Sequence, residues 1–266
     1  MTTLAPNIGT VRRADRWLLL VPIIADILFG LGPFILGGRF GMLFGFPGND
    51  SFLYRCAGAA AFGYPVGLAL GLWRDQWSAL RLPVIATLVF NVASVVVCVL
   101  AIAGGAAMPV VYLILLASIA VAAITAVLLR RYADEPRSTP DISRLFRYGF
   151  ILGGVLASLF GLLPLLIPVQ FAQLVGYKGT DSFVIQQAGA ASLGYGVMAF
   201  MALKSGAWQE VRLPTIMALI FNGLACVASV IALLAGDPIF IVALIGIASF
   251  VYTVMILIAI QRKGAI

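Results

Sequence analysis

Four polar residues stand inside apolar runs and are the sequence's candidates for chemistry: Asp26, Asn91 and Asn222 deep within them, and Arg55 about a turn from the outer end of the second. Asp26 lies ten residues beyond Arg16, Asn91 ten beyond Arg81, and Asn222 ten beyond Arg212. Ten residues of helix cover about 15 Å, half of a hydrocarbon core about 30 Å thick, so all three are expected near the bilayer midplane. An ionised carboxylate there costs about 2.5–3.5 kcal/mol, so Asp26 needs a partner, water or a proton. Asn91, at the same depth, could hydrogen-bond to it. Arg55 could pair with it, or could instead snorkel outward toward Asp50. The two asparagines read either as amide bridges between helices, worth about 0.6–2 kcal/mol, or as symmetric ligands around a central path.

Other chemistry is missing from the sequence. Histidine is absent, which removes imidazole bases and imidazole metal or haem ligands. Cys56, Cys98 and Cys226 are too widely separated for a metal-ligand spacing and read as small buried apolar residues. No nucleophile stands beside a base, no carboxylates pair, and no glycine loop resembles a phosphate cradle. Neither a cofactor nor an enzymatic activity is expected. The net charge of +7 comes from basic residues scattered between apolar spans, which argues against nucleic acid as a partner.

These residues must be held by membrane helices. Of 266 residues, 62% are hydrophobic and 10% charged, against about 25% charged in soluble domains. Eight apolar stretches are expected to cross the bilayer: 17–37, 51–73, 82–104, 107–129, 148–168, 182–203, 213–235 and 238–260. The basic opening of the first resembles a signal peptide, but a similar segment recurs at Arg147, so it is read as a retained span.

The spans form two sets. "RLPVIATLVFN" begins at Arg81 and "RLPTIMALIFN" at Arg212, an offset of 131. At that offset, residues 50–91 and 181–222 are identical at 19 of 42 positions. The expected architecture is therefore all-α, with two tandem parallel four-helix repeats: 1–131, a cytoplasmic linker 132–146, and 147–266. With the amino terminus in the cytoplasm, Arg12, Arg13, Arg16, Arg74, Arg81, Arg130, Arg131, Arg137, Arg144, Arg147, Lys204, Arg212, Arg262 and Lys263 fall on that side or at its edge. Only Arg39, Arg55 and Lys178 do not, so both termini are placed in the cytoplasm and the protein in a bacterial plasma membrane.

Local features have structural readings. Pro83 and Pro214 are placed in the first turn of the third and seventh spans, where no backbone donor is lost. Asp50 and Asp181 read as N-caps. Trp17, Trp73, Trp77, Trp208, Tyr148 and Tyr177 read as interfacial anchors, while Gln187 and Lys204 lie near the faces. Pro33 and Pro164 end or break the first and fifth spans. Ala59, Gly63, Gly67 and Gly71 form a small-residue stripe for close helix packing.

A carrier or channel for a small, weakly polar or hydrophobic solute, passing between the two repeats, is the functional expectation. A non-transporting scaffold or assembly subunit is the alternative, and a membrane enzyme on a lipid-like substrate, with Asp26 as its acid, is the third. A polar cavity reaching Asp26 and Asn91 would favour transport; a packed interface between halves would favour the scaffold.

Overall fold

The computed structural model describes residues 9–46, 48, 50–106, 108–134, 139–176, 181–237 and 239–263. Arg137, Tyr177, Lys178 and Gly179 lie outside the described residues, as do the side chains of Arg262 and Lys263. Ten helices form among them: α1 Arg13–Leu36, α2 Gly38–Leu43, α3 Ser51–Arg74, α4 Trp77–Ala103, α5 Pro109–Arg131, α6 Arg144–Leu166, α7 Pro168–Leu174, α8 Ser182–Ser205, α9 Trp208–Ala235 and α10 Ile239–Lys263. Seven of them, α1, α3, α4, α5, α6, α9 and α10, are long and apolar enough to cross a membrane. Their outward faces carry Ile24, Leu116 and Ile247, all exposed. Such a surface suits lipid, and the architecture is that of an α-helical membrane protein. Helix α8 equals α3 in length but carries Gln186, Gln187 and Lys204, and is not one of the seven.

Helices α3, α4, α8 and α9 pack together at the centre, with α3 against α9 and α4 against α8. Around them, α1 lies on α3, α6 on α8, α5 on α4, and α10 on α9. Glycines set the closest approaches. A β-carbon at Gly58 would meet the Gly30 carbonyl oxygen at 2.5 Å, and one at Gly189 would meet the Gly161 carbonyl oxygen at 2.8 Å. The stripe of α3 is used for packing: Gly67 abuts Met217, and Gly71 abuts Leu80 and Leu213.

One end of the bundle is tied by polar contacts between helix termini. Arg16 pairs with Asp75 at 3.4 Å, Gln209 donates to Gln76 at 2.9 Å, and Asp141 N–H donates to Gly206 O at 2.9 Å. Asp15, fully buried, pairs with Arg131 and accepts from the Tyr132 hydroxyl at 2.8 Å. Tyr132 in turn stacks on Trp77, ring centroids 4.4 Å apart.

Several expectations are corrected. Helices α4 and α9 begin at Trp77 and Trp208, so Pro83 and Pro214 are the seventh residue of each rather than first-turn residues. The left-handed residues Asp75 and Gly206 reverse the chain so tightly that the next helix starts a turn earlier than the prolines suggest. Trp77 is a buried core residue, and Trp208 leans on Phe146, whereas Trp17, Trp73 and Tyr148 are exposed as anchors should be. Asp50 caps α3 by accepting from Leu53 N–H at 2.9 Å. Asp181 makes no such cap; its carboxylate accepts from the Tyr54 hydroxyl at 2.6 Å. Beyond Pro33 and Pro164 the chain adds the short helices α2 and α7, which the sequence reading did not separate.

Candidate functional site

The centre of the bundle is filled by aromatic rings. Tyr64 on α3 donates to Ala191 O on α8 at 2.6 Å, and Tyr195 on α8 donates to Ala60 O on α3 at 3.1 Å. The two rings lie 4.9 Å apart, with Phe90 5.1 Å from Tyr64 and Phe221 5.0 Å from Tyr195. A β-carbon at Gly63 would collide with the Tyr195 hydroxyl, and one at Gly194 with the Tyr64 hydroxyl. The members of each pair, 60 and 191, 63 and 194, 64 and 195, 90 and 221, are 131 positions apart. The expected solute path along this axis is occupied by these side chains.

The sequence candidates are dispersed around that plug. Asn91 is buried and its amide donates to Thr87 O on its own helix at 2.9 Å; Asn222 does the same to Ala218 O at 2.8 Å. Among the described residues neither amide nitrogen bridges helices. Asp26 is 5% exposed, and its Oδ2 has no hydrogen-bond partner. No hydrogen bond or ion pair among the described residues joins Asp26 to Asn91 or to Arg55. Arg55 lies at the far end of α3 beside Gly37, close enough to Asp50 and Asp237 to act on Asp237 electrostatically. Burial raises the Asp237 carboxyl above the usual carboxylate range, Asp50 raises it further, and Arg55 opposes both.

A polar seam was not anticipated. Ser118 on α5 donates to Ser94 on α4 at 3.0 Å, Ser94 donates to Gln187 Oε1 on α8 at 2.8 Å, and Gln187 Nε2 lies 3.5 Å from Cys98 Sγ. Two adjacent glutamines in an apolar helix were the available signal.

The candidate site is a cavity of about 300 Å³ beside the plug, within the size range of small-molecule pockets. Helices α3, α6, α7, α8, α9 and α10 line it, and among the described residues no charged side chain contributes. It extends from Val175 and Ile241 near one end of the bundle to Phe150 and Pro214 past mid-depth. Helices α6 and α10 meet where Tyr252 donates to Gly149 O at 3.0 Å. Farther along, Leu156 on α6 and Leu244 on α10 both line the cavity and are 37% and 42% exposed, so they form a rim on the apolar outer surface.

Side-chain volume explains why the void lies here. Ala157, Ala199, Ala218 and Ala225 line it; at the places 131 residues earlier stand Asp26, Leu68, Thr87 and Ser94. Of the four sequence candidates, only Asn222 lines the cavity.

A family model described as a family of unknown function (DUF6790) matches residues 108–264, more than half of the chain, and the chain belongs to that family. The match spans α5 to α10 and so includes the cavity walls supplied by α6, α7, α8, α9 and α10. No curated protein matches the chain. No solved structure matches it.

Proposed function

We propose that this DUF6790 member binds a small, weakly polar or hydrophobic molecule inside the membrane, and that its site is the cavity between α6 and α10. The observation that carries the reading is a void of about 300 Å³, without a charged side chain among the described residues that line it, whose rim residues, Leu156 and Leu244, also face the apolar exterior. A ligand already dissolved in the bilayer could enter sideways without crossing a polar barrier. Neither a catalytic step nor a cofactor is part of the proposal.

The proposed setting is eight spans, α8 included, arranged as two parallel repeats with both termini cytoplasmic in a bacterial plasma membrane. Support comes from the identities at an offset of 131, from the reciprocal tyrosine bonds at the same offset, and from the basic residues gathered at one end of the bundle. In α8, Gln187 bonds to Ser94 and Cys98, which reduces the cost of a glutamine in that helix.

Purified protein in lipid nanodiscs, titrated with a solvatochromic hydrophobic dye, tests the reading. Saturable binding is expected, and Ala157→Phe, which places a ring in the cavity and takes up about a third of its volume, is expected to weaken it at least ten-fold while the protein stays folded. Binding that is unsaturable, or equal in the two proteins, would reject the site. Carriage of the ligand is the stronger form of the same reading and predicts dye flux in proteoliposomes that Ala157→Phe lowers. The close packing at Tyr64 and Tyr195 favours a second reading, a non-transporting scaffold, in which both variants show no flux.

A further inference from the structure

We infer that the ligand of this cavity is an uncharged amphiphile, a hydrocarbon body with one oxygen-bearing head such as a hydroxyl or carbonyl, and that Ser249 and Asn222 receive the head. The inference rests on the proposed cavity and adds the chemistry of its occupant. Ser249 is 7% exposed, lines the cavity, and makes no hydrogen bond to another described residue. Its counterpart at the 131 offset, Ser118, donates to Ser94 at 3.0 Å; at the place of Ser94 the second half has Ala225. Ser249 has therefore kept the hydroxyl and lost the acceptor. A buried hydroxyl without a partner is unfavourable, and inside a cavity a ligand atom can supply the missing partner.

Two further groups complete the polar spot. Asn222, one turn before Ala225 on the same helix, spends an amide hydrogen on Ala218 O and lines the cavity. Ser192 on the α8 wall is 8% exposed and has no hydrogen-bond partner among the described residues. Donors and acceptors are both available, but among the described residues no charged group lines the cavity, so an ionised head would meet no counterion there. The remaining wall is apolar and aromatic, with Phe160, Phe171 and Phe221 offering ring faces to a hydrocarbon or flat body.

The experiment compares n-decanol with n-decane as displacers of the hydrophobic dye from nanodisc-embedded protein. Decanol is expected to displace at about five-fold lower concentration from the native protein than from Ser249→Ala, the worth of roughly one neutral hydrogen bond. In Ser249→Ala the advantage over decane shrinks by that factor, with Asn222 still in place, while decane itself still displaces. Ala225→Ser gives Ser249 back the acceptor that Ser94 supplies to Ser118, and is expected to shrink the advantage likewise with the hydroxyl of Ser249 intact. Comparing ratios between variants cancels the unequal partitioning of the two probes into lipid. If decanol keeps its full advantage in both variants, or shows none in the native protein while decane displaces normally, the amphiphile inference is wrong and the cavity remains. If neither probe displaces the dye, the cavity reading itself fails and takes the inference with it.

Discussion

Tyr64 and Tyr195 are cross-linked to each other's helices: each hydroxyl donates to the backbone carbonyl four residues before the other, Ala191 and Ala60, at 2.6 and 3.1 Å. Both rings are buried, so a phenylalanine at either place keeps the packing and leaves one carbonyl without its cross-helix donor. Tyr64→Phe and Tyr195→Phe are each expected to cost about 1–2 kcal/mol. The rings touch, so the double variant is expected to differ from the sum of the singles. Unfolding titrations of the four proteins measure this. A loss below a few tenths in both singles would mean that the bonds add nothing to the rings.

Asp15 holds the opposite kind of polar contact, a buried carboxylate shared by Arg131 and Tyr132. Asp15→Ala takes the carboxylate from both partners and weakens the tie between the start of α1 and the end of α5, where Arg12 N–H still donates to the Tyr132 oxygen at 2.9 Å. Arg131 is about one-third exposed and can turn to water, so the expected loss is about 2–3 kcal/mol, below the 3–5 of a wholly buried pair. A thermal shift that is unchanged would show the pair to be neutral.

The contrast between Asp15 and Asp26 indicates what a sequence can reveal here. Asp26 stands out because a carboxylate inside an apolar run breaks the pattern, whereas Asp15 beside three arginines looks like an ordinary solvated charge at a helix start. Its partners, Arg131 and Tyr132, are more than a hundred residues away and are brought near only by packing of α1 beside α5. Helical spans and the 131-residue offset were readable because periodic composition and self-similarity are properties of the string. The starts of α4 and α9 are not legible from Pro83 and Pro214, because each helix begins six residues before its proline, at Trp77 and Trp208. The cavity escaped notice because Ala157, Ala218 and Ala225 each look like packing residues; only volumes compared between the halves would have exposed it.

Asp26 itself yields a prediction with an unusual sign. Among the described residues its Oδ2 is buried without a partner, so Asp26→Asn breaks no bond to that oxygen and replaces a carboxyl that must either bear a charge or take up a proton in an apolar setting. Stability at neutral pH is expected to hold or to rise by about 1 kcal/mol. Dye binding is expected to be unaffected, because Asp26 is not part of the cavity wall. A loss of stability would reveal a partner for the carboxylate, and a loss of dye binding alone would return Asp26 to the ligand site.

Asp181 predicts how stability responds to pH. Burial raises its carboxyl above the usual range, and the hydrogen bond from Tyr54 opposes that shift. A folded-state value above the unfolded one means that the native protein holds the proton more tightly. Its contribution is then complete below the unfolded value of about 3.9 and is lost as pH rises through the raised folded value. Asp237, buried near Asp50 and Arg55 at the same end, shifts in the same direction and adds to the same slope. Asp181→Asn is therefore expected to flatten the fall in melting temperature as pH rises above about 4. With Asp237→Asn added, the slope should flatten further. Tyr54→Phe removes the opposing bond, so the fall should deepen and reach higher pH than in the native protein. An Asp181→Asn protein whose melting temperature tracks pH as steeply as the native one would show that this carboxyl titrates alike folded and unfolded.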